Sequence, residues 1–251
     1  MRVAVGAPVG DDRAEILPRW LAGLHAQSVR PEVLCGVYSQ GASAVRSALL
    51  DQSLFTVRAR ATHLPFHPRA QRNDDPRDPW RARHMANLRN ELRGLFLATD
   101  CDVFLSLDTD ILLEEPTVVE RLCATLSEGW DVACALTYLS PKGAESGCYN
   151  AGYLPTDEPR AMSRVWERAT QYQATREPPV KIDVPMAAYA IRRHAMAMCR
   201  YYPHDCGEDI GFADCLKRHN LRVGWRTDVE VRHVWNVAKH AVPVGATGGD
   251  G

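Results

Sequence analysis

Several absences narrow this sequence quickly. No hydrophobic run approaches the roughly 20 residues of a membrane helix, which argues against a helical membrane protein. The opening Met1-Arg2-Val3-Ala4-Val5-Gly6-Ala7-Pro8 turns polar too soon for a secretory leader, so a cytoplasmic location is expected. Net charge is almost absent, at a formal -1, so the whole molecule carries no field that would seek out nucleic acid. Lysine is scarce: Lys142, Lys181, Lys217 and Lys239 stand among 30 basic residues, a bias that a GC-rich genome explains without any functional reason. There is no internal repeat and no Cys-x-x-Cys pair. The eight cysteines, Cys35, Cys101, Cys123, Cys134, Cys148, Cys199, Cys206 and Cys215, fall mostly inside apolar stretches. There a reduced thiol serves as a small buried hydrophobe. His204, Cys206 and Cys215 could be imagined as zinc ligands, but their spacing matches no common zinc pattern.

What is present is an ordinary globular composition, 45% hydrophobic and 24% charged over 251 residues, enough for one large domain or two small ones. Arg2 to Val9 reads as a first strand. Asp11 to Gln27 reads as a helix capped by Asp11 or Asp12, with Ile16, Leu17, Trp20, Leu21 and Leu24 on its buried face. Val33 to Ser39 is a second strand, a helix runs to Leu50, and Phe55 to Ala59 is a third strand. This alternation predicts a parallel sheet with helices on both faces. A proline-broken loop, His63 to Trp80, follows, then a helix from Arg81 to about Thr99. Val103 to Leu107 is a near-continuous apolar strand, as a central parallel strand requires. Pro116 opens a further helix, and Asp131 to Leu139 is a strand. Beyond it the pattern predicts a helix from Arg160 to Thr175, a strand from Val184 to Ile191, a helix from Glu208 to His219 and a final strand or strand pair from Arg222 to Val234. The expected organisation is one domain over residues 1–240, with a nucleotide-binding half to residue 110, an acceptor half after it, and a flexible glycine-rich tail at 241–251.

Three features carry chemistry. Asp108-Thr109-Asp110 ends the apolar strand, where ligands bind in open α/β sheets. Two acids at such an end need a counter-charge, and a divalent cation accepts hard oxygen ligands of this kind. A solvated acidic turn would look the same in sequence. Gly207-Glu208-Asp209 opens a helix; acids there oppose the helix dipole, and a carboxylate so placed could also serve as a general base. His233 ends the last strand, where a histidine is as readily structural as ligating.

In order and separation these three motifs, with the lead-in Ala86-Asn87-Leu88-Arg89-Asn90 and Val103 to Asp110, resemble the GT-A glycosyltransferases, in particular family-2-like members. The likeness spans about Arg2 to Trp235. It implies an α/β, Rossmann-like fold and transfer of a sugar from a nucleoside-diphosphate sugar to an acceptor hydroxyl, with Mn²⁺ or Mg²⁺ as cofactor. By the resemblance, Asp110 ligates the metal, Asp108 contacts the ribose or the metal, and His233 completes the metal or diphosphate site. Asp209 is the base of an inverting reaction, and Glu208 helps place the acceptor. Ala7, Pro8 and Val9 line the nucleoside pocket, Arg83, Arg89 and Asn90 contact the nucleotide or diphosphate, and Ser39 and Thr109 belong to the same binding set. Family-2 members carry acids after the second strand; Tyr38-Ser39-Gln40-Gly41 stands there instead, so uridine is not implied.

The acceptor is open between a glycan, a protein and a modified DNA base. The last is suggested by the crowding of Arg58, Arg60, Arg69, Arg72, Arg77, Arg81, Arg83, Arg89 and Arg93, which could meet phosphates in a salt-dependent way. Acceptor choice is expected in His63 to Trp80 and Leu139 to Tyr153. A nucleotidyltransferase also sets paired acids on a metal, but needs a glycine-rich basic loop where Val9-Gly10-Asp11-Asp12-Arg13 stands. A sugar-nucleotide-binding module without turnover is the third alternative.

Overall fold

The computed structural model describes residues 1–10, 13–39, 41–62, 79–138, 149–155 and 166–234. Parallel strands β1 (Val3–Val9), β2 (Val33–Ser39) and β3 (Thr56–Thr62) are linked through α1 (Leu17–His25) and α2 (Ser43–Leu50). The expected caps Asp11 and Asp12 lie outside the described residues, and α1 starts later than they would place it. Pro18 explains the delay: it lacks an N–H and clashes inside a helix, so it is tolerated only in a first turn, where it stands. α1 buries Leu17, Trp20, Leu21 and Leu24, each contributing about 2 kcal/mol of hydrophobic stabilisation.

Strand alternation divides the core. Val3, Val5, Ala7 and Val9 face α1 and α2. Ala4 packs on the opposite side, with Leu88, Leu92 and Phe96 of α3 (Pro79–Leu97). β4 (Val103–Leu107) is buried at every residue and pairs parallel to β1. After it come β5 (Ile111–Leu112), α4 (Val118–Ser127) and β6 (Val132–Leu136).

The second half holds β7 (Ala151–Tyr153), β8 (Glu167–Arg168), α5 (Gln171–Ala174), β9 (Val180–Ile182), β10 (Val184–Pro185) and β11 (Ala188–Arg192). It closes with α6 (Arg193–Met198), α7 (Glu208–Arg218), β12 (Val223–Glu230) and β13 (Arg232–His233). The central sheet has the order β3-β2-β1-β4-β11-β6-β12-β9. β11 and β9 run against the other six, so the sheet is mixed and mostly parallel.

Two expected elements are redrawn. Residues 166–175 hold the exposed strand β8, paired to β7, and the single turn α5 rather than the end of a long helix. The strand expected over Val184 to Ile191 is broken at Ala187, whose φ of +64° is left-handed and cannot continue a ladder. Arg58 and Arg60 are exposed on β3, the edge strand, where charge discourages pairing with another chain. No helix among the described residues is long and apolar enough to cross a membrane.

This topology decides where a ligand can sit. From β1 the chain winds outward to β2 and β3, then returns to place β4 on β1's other side. That reversal opens a crevice at the carboxyl ends of β1 and β4. The β1–β4 ladder stops at Gly6 and Ser106, so Pro8, with no N–H to give, lies beyond it. β12 slips register between Arg226 and Glu230, and such irregularities re-aim a strand's end. Here the chain turns into β13, which pairs with β5 immediately after the acids of β4.

Candidate functional site

The turn after β4 is held from several sides. The Asp108 N–H donates to the carbonyl of the strained Ala187 (2.9 Å). The Asp108 carbonyl accepts from the Trp20 indole (3.1 Å) and from the Ile111 N–H (2.9 Å). α1, β5 and the β10–β11 turn thus fix the backbone on which Asp108, the buried Thr109 and Asp110 stand.

Arg89, on α3 and only 4% exposed, organises the acids. Its Nη2 donates to both oxygens of Asp108 (3.0 and 3.3 Å), its Nε to Glu208 Oε1 (3.0 Å) and its Nη1 to Ser106 Oγ (3.4 Å). Asp209 Oδ1 lies 3.9 Å from the same Nε. One cation therefore faces three carboxylates, and like charges this close cannot all ionise in a dry setting. Burial pushes the Asp209 carboxyl up to about 8, against the pull of Arg89 and with the push of Glu208 and Asp108. Burial also raises Asp108, opposed by Arg89. The shared proton belongs on Asp209: Asp108 receives two guanidinium contacts, whereas Asp209 Oδ1 is buried without a hydrogen bond.

Glu208 and Asp209 occupy the first turn of α7, where the dipole favours negative charge. The helix is entered through Gly207 at φ +110° and ψ 161°, a region essentially reserved for glycine. Beneath it the Tyr201 ring stacks on Phe212 (4.2 Å between centroids) and lies under the Arg89 guanidinium. The hydroxyls of Tyr189 and Tyr201 hydrogen-bond to each other.

A second cluster forms around Asp110. Its Oδ2 lies 3.3 Å from Arg13 Nη2 and 3.6 Å from His233 Nε2. β13 supplies the placement, because the Val234 N–H bonds the Asp110 carbonyl (2.8 Å). His233 Nδ1 lies 3.2 Å from the Tyr138 carbonyl, which can only accept, so Nδ1 carries a proton. In the neutral ring Nε2 then presents a lone pair to a carboxylate. Two electron-pair donors facing each other call for a cation between them, either a proton or a metal ion. A histidine whose other nitrogen donates to a backbone carbonyl has the arrangement usual for a metal ligand. Burial raises the Asp110 carboxyl, but a hydrogen bond from His233 and its charge when Nε2 holds the proton, with Arg13, keep it below its usual value.

The expected site residues are placed unevenly. Asp108, Asp110, Glu208, Asp209, His233 and Arg89 converge on the crevice. Of the expected metal trio, Asp108 is paired with Arg89, while Asp110 and His233 face each other. Arg89, expected on the nucleotide, is buried among the protein's own acids. Asn90 also has a different task, since its amide donates to the Tyr201 carbonyl (2.8 Å) and accepts from the Tyr201 N–H (3.0 Å). Ala7 and Val9 point into the core, while Pro8 is half-buried. Ser39 ends β2 opposite Thr62, and Arg83 is exposed on α3.

The arginine-rich region does not form one wall. Arg58 and Arg60 lie on the edge strand, Arg89 is buried, and Arg93 donates to the carbonyls of Met196, Ala197 and Cys199; Arg69, Arg72 and Arg77 lie outside the described residues. Arg13 and Trp20 also contact the turn after β4, a part that no sequence motif assigns to them. Arg13 could have been suspected as the first basic residue beyond the carboxyl end of β1. Nothing local marks an indole that reaches 88 residues along the chain.

No protein-family model and no curated protein matches the sequence. Solved structures match by fold. TarS 1–349 of S. aureus in complex with UDP-GlcNAc aligns at TM-score 0.55 and 10% identity, covering 95% of this chain and 61% of that one. The chain has the GT-A fold. Glucosyl-3-phosphoglycerate synthase of Mycobacterium tuberculosis, in complex with Mn²⁺, UDP and phosphoglyceric acid, aligns at TM-score 0.52 and 15% identity, covering 95% and 72%. Against another structure of TarS 1–349, the chain spans 59% of the matched chain. At these identities the likeness is one of GT-A architecture.

Proposed function

We propose that this chain is a glycosyltransferase that moves a sugar from a nucleoside-diphosphate donor to an acceptor hydroxyl, with inversion. The observation that carries the reading is the convergence at the β1–β4 crevice of three segments remote in sequence: the acids of β4, the acids that open α7, and His233.

Asp110 and His233 would hold a Mn²⁺ or Mg²⁺ ion, two protein ligands being a usual number where substrate phosphates and water complete the shell. When bound, the cation supplies Lewis-acid stabilisation of the leaving diphosphate. The protein's own residues do the rest. Arg89 positions Asp108 and Glu208 without facing solvent, and Asp108 would contact the donor ribose. Asp209 removes the acceptor proton. An acceptor hydroxyl has a pKa far above 7, and a carboxylate raised to about 8 is a stronger base than an ordinary one. Glu208, in the same turn, orients the acceptor. The structures of like fold solved with UDP-GlcNAc, and with Mn²⁺ and UDP, support this class of donor.

The test is thermal stability against UDP-, GDP- and TDP-sugars, each with and without Mn²⁺. A ligand of the folded state raises the melting temperature. A metal-dependent rise with one nucleotide is expected and would name the donor class. No rise with any of them would leave Asp110 and His233 as a structural ion pair. Transfer of radiolabelled sugar from that donor would then separate an active enzyme from a binding module.

A further inference from the structure

A different cluster lies at the far end of α7. Cys199 follows α6, Cys215 is on α7, and His219 is the C-cap of α7. Cys215 and His219 are four residues apart and so share one helix face. The two thiol sulphurs and one imidazole nitrogen lie within 4.8 Å of one another. We propose that Cys199, Cys215 and His219 bind a thiophilic divalent cation of the zinc type, independently of the crevice and of the function proposed above.

The chemistry of the donor set supports this. Two sulphurs and one imidazole suit zinc, and at the usual Zn–S length a tetrahedral site sets its sulphurs about 3.8 Å apart. The observed limit of 4.8 Å needs little closing. Cys199 is fully buried, Cys215 is 8% exposed and His219 is exposed. A cation here would rest on two buried sulphurs and meet solvent on the side of the exposed imidazole. The segment carrying Cys199 is preorganised: Arg93 Nε donates to the carbonyls of Met196 and Cys199 (both 2.7 Å). With no cation, burial and the neighbouring Cys215 keep the Cys199 thiol protonated. Zinc-type cations bind cysteine as thiolate, and two thiolates neutralise the dication.

The trio His204, Cys206 and Cys215, whose spacing fits no common zinc pattern, is not the one that gathers. The His204 Nδ1 accepts from the Cys206 N–H (3.0 Å), and Cys215 faces Cys199 instead. A cation here would tie the end of α7 to the Cys199–Tyr201 segment. Tyr201 supports Arg89, and the start of α7 carries Glu208 and Asp209, so the site would brace both halves of the acid cluster from behind.

The experiment is titration of the reduced, chelator-treated full chain with Co²⁺, read by absorption. One equivalent should produce a thiolate-to-cobalt charge-transfer band with tetrahedral d–d bands, bleached by Zn²⁺. The band should persist in Asp110→Ala, which separates this site from the crevice. It should vanish in Cys199→Ser and Cys215→Ser. His219→Ala, at an exposed position that leaves folding intact by circular dichroism, should weaken Co²⁺ binding at least tenfold. The proposal is overturned if the folded wild-type chain gives no thiolate band, if the band ignores both serine variants, or if Cys199 and Cys215 are joined as a disulfide in the native protein.

Discussion

Replacing Asp209 with asparagine tests the arrangement of the acids most directly. Asp209 titrates near 8 in the folded chain, against an unfolded value of about 4. Below pH 4 the carboxyl is protonated in both states and contributes nothing to the pH dependence. Between 4 and 8 the folded chain keeps a proton that the unfolded chain has released, so stability falls as pH rises. The slope is about 1.4 kcal/mol per pH unit. Above 8 both states are ionised and the slope ends.

From pH 6 to pH 8 the wild-type chain therefore loses about 2 kcal/mol through this group, or about 5 °C in melting temperature for a domain of this size. An asparagine side chain carries no titrating proton, and its amide can replace a protonated carboxyl in the same space. The variant should thus match or exceed wild-type stability, with an advantage that widens by about 5 °C across that range. Transfer should drop by about 10²–10⁴-fold, the contribution of a general base. The assay is paired thermal denaturation at pH 6, 7 and 8, in which titrating groups outside the acid cluster cancel in the difference, together with initial rates. A difference that stays flat with pH would put the proton elsewhere in the cluster. Near-normal turnover would reduce Asp209 to an acid at a helix start.

The wild-type pH–rate profile should show kcat/KM rising tenfold per unit up to about pH 8 and then levelling; a profile falling over that range refutes base catalysis by Asp209. Arg89→Ala leaves three carboxylates without their cation and should cost about 3–5 kcal/mol, measured by urea unfolding. Gly207→Ala must adopt a φ of +110° and should lose about 1–3 kcal/mol; with no atom near the added Cβ, unchanged stability would refute the strain argument. Asp110→Ala and His233→Ala should each weaken Mn²⁺-dependent nucleotide binding at least tenfold by calorimetry while leaving metal-free binding unchanged.

Much of the fold was legible because local rules agreed with tertiary demand. Val103 to Leu107 reads as a doubly covered strand and is one, since burial on both faces leaves Ser106 as its one polar residue, and that hydroxyl is held by Arg89. The helix from Glu208 announces itself by acids at its start and basic residues at its end. The failures fall where distant contacts overrode local pattern. The periodicity after Arg160 suggested a helix, yet Glu167 and Arg168 pair with β7. Val184 to Ile191 looked continuous, but the chain turns at Ala187 to present its carbonyl to Asp108. Within the candidate site, residue type and order pointed to Asp108, Asp110, Glu208, Asp209 and His233, and the fold gathers them at one crevice. Type and order could not reveal that Arg89 would pair with Asp108, or that Asn90 would serve the backbone of Tyr201.

Periodicity, capping and strand-end position act over a few residues. They were enough for the alternation of strands and helices, the acids at the end of β4 and at the start of α7, and the chemical types available at the crevice. How charge is shared there is a tertiary matter. A buried guanidinium 119 residues from Glu208, an imidazole returned to Asp110 by β13, and a thiol pair closed between α6 and α7 depend on loops whose geometry no local pattern encodes. Desolvation there makes one carboxyl keep its proton, and that energy exists only once the chain has excluded water around it.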